Sequence, residues 1–338
     1  MTILHVEAPG PFTTLQDTGR HGWQRYGVPT AGAMDPIGLA IADTLVGNPP
    51  DCAALEMTLF GVTVTVEGGP VRIAVAGADF PLSIDGQRVE SARSHRLEPG
   101  QSLRIGGARA GVYGYLAVAG GFALPPVLGS RSTHVRSGIG GHPLRAGDAL
   151  PLNGMPHDVP GLALPAGFSR PEHPRVRVVP GPQDDHFTPA ARATLLAFPY
   201  TVTTQADRMG VRLTGPMLEH AKGFNIVSDA IAPGSIQVPG TGQPIVLLAD
   251  RQTTGGYPKI ATVISADLSA FAQVRPGEHV YFEAVEVETA ENAHRAMRAW
   301  LRGLPGRIVP IGHELDSEQL LSLNLISGVT DGRSAVLH

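Results

Sequence analysis

The sequence predicts a mostly β protein, and three observations carry this prediction. The 338 residues include 42 glycines and 30 prolines, which interrupt regular structure and form turns. Short runs rich in Val, Ile and Leu recur between these turns, as strands do. A weak internal repeat suggests two related β domains, because residues 15–22 resemble 204–211 and residues 98–105 resemble 275–282 in the same order.

Composition narrows the functional class. The net charge is −4 and aromatic residues make up 5%, which argues against a nucleic-acid binder with a basic face and stacking side chains. The single cysteine, Cys52, excludes a disulfide framework and a zinc site built from thiolates. The first ten residues show no signal-peptide pattern and no apolar run approaches a membrane span, so we expect a cytoplasmic protein that contacts no membrane.

Strands and one helix are predicted in the N-terminal half. The strands are expected at residues 2–7, 54–59 and 62–67, with further short strands over 71–119. Asp35 is a good N-cap and Pro36 suits the first helical position, so we expect a helix from there to Gly47. Glu56 falls in an apolar strand, where a carboxylate either faces solvent or binds an arginine.

Two polar segments stand out in this half. Residues 10–35 are unusually long for a simple connection, so they form either a functional loop or a packed Ω-loop whose polar groups satisfy one another. Residues 129–147 form either an anion-binding segment or a rigid hairpin surface. The polar residues of interest in the second segment are Arg131, Ser132, Thr133, His134 and Arg136. Residues 165–176 hold three prolines and are the best linker candidate. The predicted units are therefore two β domains, 1–170 and 171–289, and a C-terminal helix and tail, 290–338.

The C-terminal half again alternates strands with short helices. Strands are predicted within residues 176–181, 200–215 and 279–288, and helices at 188–198, 267–274 and 290–303. Thr188 and Pro189 repeat the pairing of an N-cap with a proline at the first helical position. Asp316 and Gln319 form a capping-box pattern near the C terminus.

The most informative stretch is residues 243–264, in which two predicted strands, Ile245–Ala249 and Ile260–Ile264, flank a dense polar loop. Gly255 and Gly256 allow a positive φ or a close approach of the backbone to a ligand. Lys259 is one of only two lysines among 26 basic residues. A lysine supplies a compact charge that arginine does not replace, although a solvated loop charge would look the same in the sequence.

Known catalytic signatures are missing from the sequence. It contains no phosphate-binding glycine motif, nucleophile elbow, zinc-helix motif or dinucleotide fingerprint. The acid–histidine cluster at Asp184, Asp185 and His186 is more typical of a surface turn than of a metal site, so no metal is predicted. The side chains left as candidates for a functional site are amides, carboxylates, arginines and one lysine. This set suits a small ligand that carries a carboxylate, amide or urea-like group.

Long motifs resemble the family of the 5-oxoprolinase C subunit, which is also described as allophanate hydrolase subunit 2, as the antagonist of a sporulation kinase inhibitor, and as a biotin-dependent carboxyltransferase domain. The motifs that carry the resemblance are TTLQDTGRHGWQRYGVPTAGAMD, LVGNPPDCAALEMTLFG, VLGSRST, VVPGPQDDHF, QADRMGVRLTGP and IQVPGTGQPIVLLADRQTTGGYPKIATVISADL. The resemblance implies two cyclophilin-like β-barrel domains, a B-like partner and often an A-like one. It also implies ATP-dependent opening of 5-oxoproline to glutamate, with the ATP site unknown.

The resemblance carries candidate site residues onto this sequence. The expected catalytic residues are Lys259, Asp250 and Arg251, with Lys259 as the electrostatic catalyst and Asp250 orienting Arg251 or Lys259. The expected substrate-binding residues are Gln16, Asp17, Arg20, Asp35, Gln205, Asp207, Arg208, Gln237, Gln252, Thr254, Gly255, Gly256 and Tyr257. For the pairs Asp17–Arg20 and Asp207–Arg208, ion pairing within each loop is an equally weighted alternative to ligand binding.

Three functions compete on this evidence. The first is a 5-oxoprolinase component that acts only with its partners on a small amide or carboxylate. The second is a carboxyltransferase component that acts with biotin on urea or a related amide. The third is a non-catalytic binder of a B-like kinase-inhibitor protein. A polar loop containing Lys259 favours the two enzyme hypotheses, because a pure binder does not need it.

Overall fold

The structure is a computed structural model that describes residues 1–49, 52–154, 160–173 and 175–311. Within these residues the chain is mostly β, as predicted, and has four α-helices. The helices are α1 (Pro36–Leu45), α2 (Pro189–Ala197), α3 (Leu268–Ala272) and α4 (Val287–Arg302). The strands of the N-terminal half are β1 (Ile3–Ala8), β2 (Thr13–Gln16), β3 (Ala54–Thr58), β4 (Thr63–Glu67), β5 (Val71–Asp79), β6 (Leu82–Ile84), β7 (Gln87–Val89), β8 (Ser94–Leu97), β9 (Ser102–Ile105), β10 (Ala110–Val118), β11 (Ala149–Pro151) and β12 (Leu162–Ala163).

The strands of the C-terminal half are β13 (Val176–Pro180), β14 (Tyr200–Ala206), β15 (Gly210–Thr214), β16 (Asp229–Ala230), β17 (Ser235–Gln237), β18 (Ile245–Leu247), β19 (Thr254–Gly255), β20 (Lys259–Val263), β21 (His279–Val280), β22 (Phe282–Ala284) and β23 (Val309–Pro310). Among the described residues, no helix is long and apolar enough to cross a membrane.

Two antiparallel sheets build the N-terminal half, in the orders β11-β1-β4-β9-β6-β7 and β2-β3-β10-β5-β8. Alternation along the strands explains how they pack. In β1 the side chains of Leu4 and Val6 are buried while the intervening positions are more exposed, and β4 repeats this pattern with Val64 and Val66. These apolar faces join one buried cluster between the two sheets.

One eight-stranded sheet dominates the C-terminal half, in the order β21-β14-β15-β18-β17-β20-β13-β22. The two end strands, β21 and β22, are separated in the chain by Tyr281 alone. The sheet therefore nearly closes on itself into a barrel. The pairing of β13 with β22 is parallel, whereas the other pairings in this sheet are antiparallel.

The predicted helix starts are confirmed by their caps. The Asp35 carboxylate accepts a hydrogen bond from the Gly38 N–H at 2.9 Å, and the Thr188 hydroxyl accepts one from the Ala191 N–H at 3.1 Å. The last helix differs from its prediction, because α4 begins at Val287, where a strand was expected. The capping-box pattern at 316–319 lies outside the described residues.

The two halves share an apolar core and several polar contacts. A single buried cluster contains α1 side chains together with those of the barrel-like sheet. The Gln273 Oε1 accepts from the N–H groups of Val112 and Tyr113 at 2.7 and 3.0 Å, and its Nε2 donates to the Tyr113 carbonyl at 2.8 Å. β23 pairs with β12, so the chain returns from α4 to the N-terminal half. The domain limits given above stay a prediction.

Candidate functional site

Two adjoining clefts lie where the N-terminal half meets the barrel-like sheet. The first has a volume of about 660 Å³ and is lined by Gly27, Pro29, His134, Arg136, Ser137, Met209, Asp250, Gln252 and Thr253. The second has a volume of about 550 Å³ and is lined by Arg136, Thr204, Gln205, Ala206, Asp207, Met209, Gly210, Arg212, Gln237, Ile245, Leu247, Gln252 and Tyr257. Because Arg136, Met209 and Gln252 line both, we treat them as one site and call it the double cleft.

Six of the predicted site residues meet in the double cleft: Gln205, Asp207, Gln237, Asp250, Gln252 and Tyr257. A larger groove of about 1260 Å³ lies beside β7 and β8, but none of the predicted site residues lines it. We therefore place the candidate site in the double cleft, which is smaller but collects polar groups from both halves. Volume alone is a weak guide, whereas convergence of polar side chains indicates binding.

Gly255 shows why a glycine is needed beside the cleft. It lies in β19, which pairs with β16, and a Cβ at this position would lie 2.7 Å from both the Gln237 Nε2 and the Ile231 Cδ1. The predicted close approach of the backbone is thus made to the protein's own side chains. Gly256 is less crowded, since its nearest neighbour would be the Ile226 carbonyl at 3.5 Å. Thr254 precedes both glycines and is exposed.

Lys259 lies at the start of β20, not within the polar loop where it was expected. Its side chain is 1% exposed, and its ammonium donates to the Asp229 carboxylate at 2.8 Å and to the Ala230 carbonyl at 3.2 Å. The bond from Lys259 and a second one from the Gln183 amide lower the pKa of Asp229. Asp229, 47% exposed at its side chain, was missed in the sequence because nothing local links it to Lys259.

Arg251 is buried without a carboxylate partner among the described residues. Its guanidinium donates to the carbonyls of Ile231 and Leu248 at 3.1 and 3.2 Å, and to the Thr30 hydroxyl at 3.4 Å. Burial lowers the pKa of Arg251 to about 10, because the lost hydration disfavours the charged form. Asp250 does not orient Arg251, because the carboxylate of Asp250 is held by another arginine.

That arginine is Arg208, the centre of a buried triad that joins the two halves. Its guanidinium donates to both Asp250 oxygens at 2.9 and 2.8 Å, to the Gly32 carbonyl at 2.7 Å and to the Glu56 carboxylate. Burial opposes its charge, but Glu56 and Asp250 together raise the pKa of Arg208 above its ordinary value. Burial raises the pKa of Glu56, and the bonds from Arg208, the Met34 N–H and the Tyr115 hydroxyl counter this rise. Of the two alternatives for Glu56, binding an arginine is the one observed.

Three of the residues predicted in the first polar segment, Gln16, Asp17 and Arg20, form an internal network and do not line the double cleft. The Asp17 carboxylate accepts from the hydroxyls of Ser130 and Ser132 and from the Arg131 N–H. Arg20 donates to the carbonyls of Val127 and Ser132 at 3.0 and 2.8 Å. The Gln16 amide donates to the Thr133 carbonyl at 2.8 Å. These residues fasten segment 129–147 to β2 from within the protein.

Ion pairing within each loop, one of the two alternatives for the pairs Asp17–Arg20 and Asp207–Arg208, is not seen as a direct salt bridge within the described residues. Burial lowers the pKa of Arg20, and the charge of Asp17 acts against this lowering. Asp17 and Arg20 bind separate groups, and Arg208 reaches Glu56 and Asp250 while the Asp207 carboxylate caps the N–H groups of Met209 and Gly210 at 2.8 and 3.1 Å. Asp207 thus satisfies its carboxylate within its own turn, whereas Arg208 reaches across to the N-terminal half.

Asp35 also lies outside the double cleft. Besides capping α1, its fully buried carboxylate forms a bidentate pair with Arg170, at 2.8 Å for both bonds, and accepts from the Gln273 amide at 2.6 Å. The predicted linker thus supplies a structural contact through Arg170. The acid–histidine cluster forms a surface 3₁₀ turn, as expected, in which Asp185 pairs with Lys222.

Comparison with known proteins identifies the family to which this chain belongs. Residues 26–284 match the model of the family described as "Carboxyltransferase domain, subdomain A and B". The chain belongs to this family, in which the sequence motifs also placed it. The chain is 36% identical over 309 residues to the C subunit of 5-oxoprolinase from Escherichia coli K12, covering 90% of this chain and 99% of that relative.

Two solved structures have the same fold as this chain. A structure of TTHA0988 superposes with a TM-score of 0.76 at 37% identity, over 84% of this chain and 55% of that chain. The urea amidolyase of K. lactis superposes with a TM-score of 0.83 at 26% identity, over 91% of this chain and 21% of that chain. This chain thus corresponds to about half of the first protein and about a fifth of the second.

Proposed function

We propose that the chain is one component of an ATP-dependent 5-oxoprolinase, which opens 5-oxoproline to L-glutamate together with A-like and B-like subunits. The observation that carries this proposal is the match to a 5-oxoprolinase C subunit, which extends over 90% of this chain and 99% of the relative. The urea amidolyase matches, by contrast, pair this chain with a small part of a much longer protein.

The double cleft supports a cyclic amide as the substrate. The side-chain amides of Gln237 and Gln252 and the phenol of Tyr257 can read the N–H and C=O of a lactam, because amides and hydroxyls both donate and accept hydrogen bonds. Asp250 lies in the wall between the halves, and Arg208 fixes its orientation through two hydrogen bonds. The proposed task of Asp250 is to accept a hydrogen bond from the lactam N–H or from the attacking water.

Two buried cations contribute to the proposed electrostatics. Lys259 pairs in sheet register with Gln237, so a fixed positive charge lies on the strand beside a cleft residue. Lys259 itself lines neither part of the double cleft, so we assign it the role of a fixed charge behind the cleft wall that favours negative charge developing on the lactam oxygen, with Asp229 holding its ammonium in place. Arg251 precedes Gln252, and within the described residues it binds three neutral oxygens and adds positive charge next to the cleft.

ATP and the partner subunits belong to the proposal as parts of the assembled enzyme. The sequence contains no glycine-rich phosphate-binding motif, so we assign the nucleotide no residues on this chain. A carboxyltransferase component acting with biotin on urea or a related amide is the second candidate, which the superposition with urea amidolyase favours. Both candidates use amide recognition in the same cleft.

The experiment is ATP hydrolysis dependent on 5-oxoproline, measured with this chain and its A-like and B-like subunits purified together and then with each omitted. Loss of activity on omission of this chain, with glutamate formed in the complete mixture, is the expected result. An assembled complex that neither hydrolyses ATP nor forms glutamate refutes the proposal. Urea with carboxybiotin is then assayed, and inactivity there as well favours a non-catalytic binder of a B-like protein.

A further inference from the structure

A tight hairpin from the N-terminal half carries Arg136 to the double cleft. The hairpin is closed by a bond from the His134 N–H to the Ile139 carbonyl at 2.8 Å and by the reverse bond at 3.3 Å. Gly138, with φ of 64°, permits the turn, and the His134 imidazole shares a hydrogen bond with the Ser137 hydroxyl. Arg136 is thus presented by a short, internally bonded turn, which limits the entropy lost when it binds a ligand.

The guanidinium of Arg136 is not committed to any acid in the described part of the chain. Its one polar contact there is from Nη1 to the Met209 sulfur at 3.1 Å, and a thioether is a weak acceptor. Arg208, by comparison, is saturated by two carboxylates and a carbonyl. Arg136 therefore keeps donors that a ligand can use.

The position of Arg136 sets it apart from the other charged groups of the site. It lines both parts of the double cleft, whereas Arg212 lines the second part alone. The surfaces that share the cleft with it include the neutral polar groups of Gln237, Gln252 and Tyr257. Two carboxylates also line the cleft, but Arg208 binds Asp250 and the N–H groups of its own turn bind Asp207. A ligand that fills this space can thus place an amide against the neutral groups and an anionic group against Arg136.

We propose that Arg136 binds the carboxylate of the substrate and thereby makes the site select a carboxylated lactam over an uncharged one. This inference rests on the proposed function, because it concerns the substrate of the same site. A guanidinium and a carboxylate form two parallel hydrogen bonds, which adds geometric selectivity to the charge attraction. The N-terminal half then supplies substrate selection, while the barrel-like sheet supplies the amide-binding groups.

The test uses the reconstituted complex with Arg136→Met. We expect KM for 5-oxoproline to rise about 10- to 100-fold with kcat nearly unchanged, as for the loss of a hydrogen bond to a charged group. The inhibition constant of 2-pyrrolidinone, the same ring without the carboxylate, is expected to stay the same. Arg136→Lys is expected to restore part of the affinity. An unchanged KM, or an equal weakening of 2-pyrrolidinone, overturns the proposal.

Two matched variants exclude general charge effects. Arg212→Met removes a cation from one part of the cleft, and Arg88→Met removes an exposed cation from the separate groove beside β7. Arg88→Met is expected to leave KM within about threefold of wild type, because an exposed charge outside the cleft acts weakly through water. Arg212→Met is expected to raise KM less than Arg136→Met does, since Arg212 lines only the second part of the cleft. If Arg212→Met reproduces the Arg136→Met effect, Arg136 is not the selective residue.

A binding measurement separates this inference from the proposed function. Ligand-observed NMR on the full chain compares 5-oxoproline with 2-pyrrolidinone and requires no turnover. An inactive wild-type complex refutes the oxoprolinase proposal alone, provided that the chain still prefers the carboxylated ring and Arg136→Met removes that preference. A wild-type chain with no preference, or a variant that keeps it, refutes the role of Arg136.

Discussion

Replacing Arg208 by Met tests the buried triad most directly. The substitution keeps a long apolar side chain but leaves the Glu56 and Asp250 carboxylates without their cation, at a place where all three residues are less than 10% exposed. Four hydrogen bonds are lost, to Asp250, Glu56 and the Gly32 carbonyl. Because the triad joins the two halves, the effect should appear in global unfolding.

The expected loss is about 3–5 kcal/mol in the free energy of unfolding, the range for removing one partner of a buried ion pair. For 338 residues with an unfolding entropy of about 2.1 cal/mol/K each, this corresponds to a fall of about 4–7 °C in Tm. Chemical denaturation followed by circular dichroism measures the change. Arg192→Met is the control, because Arg192 forms an exposed pair with Asp184 and should cost less than about 1 kcal/mol.

The pH dependence of the loss gives a second check. Burial already raises the pKa of Glu56, and removing Arg208 removes the charge that counters this rise. In the folded variant, Glu56 then holds a proton at pH values at which Glu56 of the unfolded chain has lost it. This difference stabilises the folded variant below the folded-state pKa of Glu56, and the stabilisation is lost as pH rises through that pKa. The deficit relative to wild type should therefore be smaller near pH 5 than near pH 8.

Two results would refute this reasoning. The first is a loss in the free energy of unfolding for Arg208→Met that is no larger than the loss for Arg192→Met. It would mean that water or a rearrangement stabilises the two buried carboxylates in place of Arg208. The second is a deficit that does not change between the two pH values, since it would show that Glu56 takes up no proton in the folded variant.

Three other substitutions probe the loop and the caps. Lys259→Met in the reconstituted complex should lower kcat about 10²- to 10³-fold if the buried ammonium stabilises developing charge, while retained kcat would make it a structural residue. Gly255→Ala should reduce kcat/KM severalfold, because its Cβ would lie 2.7 Å from the ends of the Gln237 and Ile231 side chains and would displace the cleft amide of Gln237. Gly256→Ala, with 3.5 Å available, should behave like wild type, and equal behaviour of both variants would contradict this account. Asp35→Ala should lower the free energy of unfolding by roughly 3 kcal/mol, because it removes both the cap of α1 and the pair with Arg170. Thr188→Ala removes only a cap and should cost about 1 kcal/mol. Similar urea midpoints for the two variants would show that the Arg170 pair adds nothing.

Local signals predicted much of the secondary structure because their causes act within a few residues. Both N-caps were found, since a capping side chain and a first-position proline are neighbours in the chain. The start of α4 was missed, because the apolar residues Val280, Phe282 and Ala284 alternate as in a strand up to the helix. Alternation alone did not reveal that β22 ends at Ala284 and the chain turns into α4.

Only some of the predicted site residues line the cleft, and most of the others are buried elsewhere in the protein. Gln252 and Tyr257 were found as cleft residues because a polar loop between two strands is a recognisable pattern, whereas Gln237, in β17, was found through the family resemblance. Asp17, Arg20 and Asp35 carry equally polar signatures but bind groups inside the protein. A sequence shows that a polar side chain needs a partner and does not show whether that partner is a ligand or a distant backbone.

The sequence by itself determined the mostly β class, the helix caps and the polar loop after β18, because turn residues, strand alternation and capping are short-range properties. The tertiary structure decided which side chains share a site. Glu56 and Arg208 are 152 positions apart, and Arg136 meets Gln252 across the two halves. Such pairs depend on which strands adjoin and which face each side chain takes, and those choices are made by burial of the shared core and not by any local pattern.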